Sequence, residues 1–259
     1  MNTMAMLFLL MTLSDWYSPL DHEFVTVGKG FWCDHEPNDI NQVISEFSQV
    51  AITSQVVWSP LNIQQAVTIT GGFENCLDAK LGIQPTGFSH IQGAKMLPVI
   101  TIESPMKSAV DIKLTRVVIE SGDAPAGAGI LANGHYRLSL EQVLIQNNHA
   151  QQQGGGLLLN GQANSLTLVN SVIKNNQARQ GAGLVIDGFG HLVILENSMI
   201  QQNIAEISGG GILCNGLNLI QIQNSQINGN SAQWGQDMDA EITCQTQIGK
   251  TDFKLKPVE

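Results

Sequence analysis

Few residues of this 259-residue chain have both the type and the spacing to do chemistry. Hydrolysis of a glycosidic bond needs two carboxylates a few ångströms apart, one donating a proton and the other acting as base or nucleophile. Asp187 and Glu196 form the best such pair. Asp187, however, fills a turn position that carries Asn elsewhere, and Glu196 reads as an outward, solvated residue. Asp-Asp and Gly-His-Gly are absent. A lyase for acidic polysaccharides would need clustered Asp and Glu around a divalent cation, with Arg or Lys as base. The arginines are Arg116, Arg137 and Arg179, and no two acidic residues fall one repeat apart in the same column of the clear repeats. Cys33, Cys76, Cys214 and Cys244 contain no Cys-x-x-Cys pair, so no zinc site is expected. No catalytic residue, metal or cofactor is therefore expected.

His135-Tyr136-Arg137 and Phe189-Gly190-His191 carry the remaining chemistry. An aromatic ring beside imidazole and amide groups suits the apolar face and the hydroxyls of a sugar. Between these segments lie Gln162, Ala163 and Asn164, one repeat from each. If the repeats stack in register, all three groups share one edge. The plainer reading is ordinary turn decoration.

The elements that would position them are repeats. Gly-x-Gly followed by an aliphatic residue occurs at Gly127-Ala128-Gly129-Ile130, Gly154-Gly155-Gly156-Leu157, Gly181-Ala182-Gly183-Leu184 and Gly209-Gly210-Gly211-Ile212, in steps of 27, 27 and 28. Asn133-Gly134, Asn160-Gly161, Asp187-Gly188 and Asn215-Gly216 follow with the same steps and mark tight turns. Alternating strands come next, with Leu138 and Leu140, Leu166 and Leu168, Val193 and Leu195, and Ile220 and Ile222 on one face. Ile145, Ile173, Ile200 and Ile227 lead to Asn148, Asn176, Asn203 and Asn230, then to Ala150, Ala178, Ala205 and Ala232. The frame extends back through Ile112, Leu114, Ile119 and Ala124, with Gly122 at the Asn position, and less regularly to Val67, Ile69 and Ile91.

This pattern predicts an all-β fold, a right-handed parallel β-helix with about 27 residues and three short strands per coil. Coils lie one strand spacing apart, about 4.8 Å. Aliphatic columns stack inside, and the Asn column becomes a ladder whose amides bond coil to coil. A leucine-rich repeat has a compatible period, but the Gly runs and doubled Asn argue against it. Ile40, Val43, Ile44 and Phe47, preceded by Asn38-Asp39, form a short amphipathic helix that caps the first coil. Trp234-Gly235-Gln236-Asp237 replaces Gly-x-Gly where nothing stacks above. The organisation reads as a possible signal peptide over 1–18, an N-terminal cap with irregular coils over 19–97, regular coils over 98–244, and a tail or closing strand over 245–259.

The apolar stretch from Met4 to Leu13 is too short to span a bilayer, which takes about 20 residues, and no other stretch could. A net charge of −10 excludes a basic nucleic-acid footprint and repels polyanions. An even cysteine count fits disulfides made in an oxidising compartment, with free buried thiols as the alternative. Cys214 lies in the column of Ala132, Leu159 and Ile186, which one coil later falls near residue 242, so Cys244 lies within reach.

Ile173-Lys174-Asn175-Asn176-Gln177-Ala178 followed by Gly181-Ala182-Gly183-Leu184 resembles the paired motifs of chlamydial polymorphic outer membrane proteins, with Ile in place of Phe. Val27-Gly28 to Cys33, the helix from Ile40, and Ile69-Thr70-Gly71-Gly72-Phe73 to Cys76 are similar to the start of bacterial parallel β-helix repeat proteins of pectate-lyase-like fold. The resemblance covers roughly residues 24–244. It implies a Cys33–Cys76 bond at the cap, and it is specific for fold only, because this fold hosts lyases, hydrolases and adhesins. The function expected is a secreted or cell-surface, non-catalytic β-helix for adhesion or binding of a neutral glycan or another surface component. The alternative is a diverged polysaccharide lyase or glycoside hydrolase.

Overall fold

The computed structural model describes residues 24–54, 56–57, 60–104, 108–241 and 243–249. The possible signal peptide over 1–18 and the last ten residues of the tail lie outside them. The chain winds as a parallel β-solenoid. Within one coil, Ser165–Val169, Val172–Lys174, Gln177–Gln180 and Leu184–Phe189 belong to four sheets, S1 to S4 in chain order. Among the described residues S1 holds nine strands from Phe24–Val27 to Gln245–Ile248; S2 and S4 hold seven each and S3 four. The irregular N-terminal segments join the same sheets: Val67 pairs with Ile112 and Ile91 with Ile119.

The coil thus has four strands where the sequence pattern suggested three. The extra one follows the inner Asn. Ala124, Ala150, Ala178 and Ala205 point inward from S3 and pack with Ala128 and Ala182 of the glycine segments, forming a thin alanine core. Only a methyl group fits there, so the strand has none of the bulky alternation that marks S1. The main core holds the expected columns, Leu138–Leu166–Val193–Ile220 and Ile145–Ile173–Ile200–Ile227 among them, all at most 4% exposed. The second glycine of each Gly-x-Gly is required by close approach. A Cβ on Gly183 would sit 2.4 Å from the Gly211 carbonyl oxygen.

The doubled asparagines divide two tasks. Asn147 and Asn175 take left-handed φ of 54° and turn the chain, which asparagine tolerates better than most residues. Asn148 and Asn176, next in sequence, stack inside. Each ladder Oδ1 accepts from the backbone N–H and Nδ2 of the Asn one coil earlier, at 2.9–3.1 Å from Asn148 to Asn230. Asp237 ends the ladder, its carboxylate accepting from Asn230 N and Nδ2 at 3.1 and 3.0 Å. Ser171, Ser198 and Ser225 form a further buried ladder at the S1–S2 corner.

Helix α1 (Ile40–Glu46) buries Ile40, Val43 and Ile44 over the first coil, as the amphipathic pattern requires. Asp39 makes no side-chain cap; a 3₁₀ turn over Pro37–Asp39 leads into the helix instead. A second helix, α2 (Cys76–Lys80), is capped by Asn75, whose Oδ1 accepts from Asp78 N at 2.9 Å. Lys80 pairs with Asp34 at 2.6 Å, beside the Cys33–Cys76 disulfide. Cys214 and Cys244 form the second disulfide, with Cα atoms 6.3 Å apart. The pairing agrees with the sequence expectation, but the register does not. Cys214 sits opposite Ala240, and Cys244 belongs to the next column, around the S4–S1 turn. Trp234 pairs with Ser208 in the last coil and is 67% exposed. Among the described residues no helix is long and apolar enough to cross a membrane.

Candidate binding edge

The turn from S4 to S1 brings the candidate residues together, but not all of them face outward. Strand register pairs Gln162 with Phe189, and His135 and Leu217 follow the stacked Gly134 and Gly216 at the same turn. Phe189 and Leu217 are 62% and 57% exposed, Gln162 is exposed and His135 half-buried. Backbone bonds tie the coils together here: Ala163 N donates to the Phe189 carbonyl at 2.9 Å, and Gly190 N to that of Leu217 at 2.7 Å. Beside these residues runs a polar column of Asn133, Asn160, Asp187 and Asn215 in S4. Asn160 Nδ2 reaches Asn133 Oδ1 at 3.3 Å.

Tyr136 and His191 do not belong to this surface. Both lie in an inward column with Asn164 and Asn218, two residues before Leu138, Val193, Leu166 and Ile220. The alternation that buries those aliphatics buries these residues as well. Tyr136 is fully buried, and its hydroxyl donates to the Ala132 carbonyl at 3.2 Å. Burial pushes its pKa up, so it stays neutral. His191 is 1% exposed, and burial lowers its pKa.

Arg137 points outward from S1. Its Nη2 donates to Asp111 Oδ2 at 2.7 Å, with Nε on the other carboxylate oxygen. These bonds hold the Asp111 carboxyl below its ordinary range. Lys113 and Glu141 pair at 2.9 Å one column along. Short Ser139, Ser165 and Thr167 beside these long side chains leave a groove of about 300 Å³ across S1. Sequence reasoning missed the groove, since it depends on the sizes of outward S1 side chains rather than on the repeated inward columns. Ser165 at the groove shares its column with Leu192 and Leu219, which follow Phe189 and Leu217 by three and two residues.

Asp187 and Glu196 occupy different columns. Asp187 lies in the polar column of S4, and its backbone carbonyl meets His191 Nε2 at 3.2 Å; Glu196 lies at the far end of its S1 strand, between Val169 and Gln223. No family model, curated protein or solved structure matches the chain.

Proposed function

We propose that this protein is a secreted or cell-surface, non-catalytic β-helix that binds a neutral glycan along the S4–S1 edge. One observation carries the reading: an exposed aromatic and an exposed aliphatic side chain, Phe189 and Leu217, stand beside a polar column of three amides and one carboxylate at the S4–S1 turn. Apolar surface with a few convergent polar groups is the usual make-up of a ligand site. Both arginine and lysine at the groove are already paired with carboxylates, so the surface favours a ligand rich in hydroxyls over an anionic one. The overall charge of −10 also disfavours polyanions. Two disulfides support folding in an oxidising compartment.

A neutral-glycan array followed by titration of the retained oligosaccharide tests the reading. Phe189→Ala is expected to weaken binding at least about tenfold, or ~1.4 kcal/mol, with little change in melting because the ring is mostly solvated. Ile204→Ala, 52% exposed on S3 away from the edge, should bind like wild type. Retention of no glycan, or equal losses for both variants, would remove the proposal.

A further inference from the structure

Beneath the edge, Tyr136, Asn164, His191, Asn218 and Cys244 stack in one inward column. The two asparagines are bonded alike. Asn164 Oδ1 accepts from Tyr136 N at 2.9 Å, and its Nδ2 donates to the Gly134 carbonyl at 3.0 Å. Asn218 Oδ1 accepts from His191 N at 2.9 Å, and its Nδ2 donates to the Gly188 carbonyl at 3.1 Å. His191 interrupts this ladder between them.

The imidazole satisfies only half of the pattern. Nε2 meets the Asp187 carbonyl at 3.2 Å and also faces that of Gly161, so it carries the proton. Nδ1 is buried with no hydrogen-bond partner. A second proton would go to Nδ1, creating a buried charge with a donor that has no acceptor. Of the titratable groups nearby, Asp187 favours the cation through its charge, and Tyr136 two coils away is neutral; Asn164 and Asn218 are uncharged, and Cys244 is in a disulfide. Burial outweighs the Asp187 attraction.

We propose that His191 is an acid-sensitive latch for the binding edge: the neutral ring holds the 187–191 turn and its Phe189 in place, and protonation releases them. The ring bonds the turn at its start, through Asp187, and faces the Gly161 carbonyl of the neighbouring coil. A protonated ring reaches water only if this turn opens, and Phe189 moves with it. The link to ligand binding rests on the proposed glycan-binding role; the latch itself does not.

A histidine with depressed folded pKa binds fewer protons folded than unfolded, so the closed turn is fully stable above about pH 6.5 and loses stability as pH falls below it. The test measures amide-exchange protection factors and the His191 ring signals from about pH 8 to pH 5. Protection at Ala163 and Gly190 should fall by up to about tenfold per pH unit below 6.5 and stay below that at Asn176 and Asn203. In His191→Asn, which restores the ladder, the local fall should disappear. Unchanged wild-type protection at Ala163 and Gly190, or the same acid response in the variant, overturns the latch, and the wild-type comparison decides even if the variant folds poorly. Glycan-array binding at both pH values separates the two ideas: a local acid opening without glycan retention leaves the latch and removes the binding role.

Discussion

Asn203→Ala is expected to destabilise the protein by about 3 kcal/mol or more, whereas Gln201→Ala should change stability by less than about 0.5 kcal/mol. The two residues are two apart in sequence, but Asn203 is fully buried and Gln201 partly solvated. The Asn203 amide accepts from Asn176 N and Nδ2, and donates to the Ile173 carbonyl at 3.1 Å and to Asn230 Oδ1 at 2.9 Å. Alanine strands the Asn176 N–H in a dry corner, takes one donor from the Ile173 carbonyl and leaves a void, and a stranded group alone costs about 1–3 kcal/mol. Asn176→Ala should behave alike, since its amide makes the same four contacts one coil earlier. Denaturant unfolding of the three variants checks this. Equal shifts for all three would show that the ladder does not hold the coils together.

Replacing Cys214 and Cys244 together by serine should cost about 3–4 kcal/mol, the loop entropy of a cross-link with a sequence separation of 30 residues. The loss should concentrate in the final coil. Among the described residues Gln245–Ile248 pairs with a strand on one side only, so little else there resists its fraying. Amide exchange should therefore accelerate at Thr246 and Gln247 in the variant and remain slow at the S1 strand Ser165–Val169 in mid-stack. An even rise along the whole stack, or no change at the end, would contradict the assignment of this bond as an end fastener.

The parallel β-helix was legible because the spacing repeats in several columns at once. In a stack held in register, each side chain meets its own counterpart one coil away, so a residue acceptable once is acceptable at every level. That made the aliphatic columns and the Asn148–Asn230 ladder readable without coordinates. The same alternation also held the fate of Tyr136 and His191. They share a face with Leu138 and Val193, and reading them as turn triplets obscured it. The serine ladder was likewise present in the sequence, at Ser171, Ser198 and Ser225, one repeat apart.

The sequence by itself determined the period, the inward columns and the polar ladder that joins the coils, because these depend only on identity at a fixed interval. The tertiary structure decided how each corner is turned. Left-handed residues such as Asn170 and Asn197, with φ of 49° and 48°, set how many residues a turn consumes, and hence which columns become neighbours across it. That path made a fourth strand from the alanine segment and carried Cys244 into the column beyond that of Cys214. Neighbours across a corner are related by backbone geometry, not by repetition, and repetition was the signal the sequence carried.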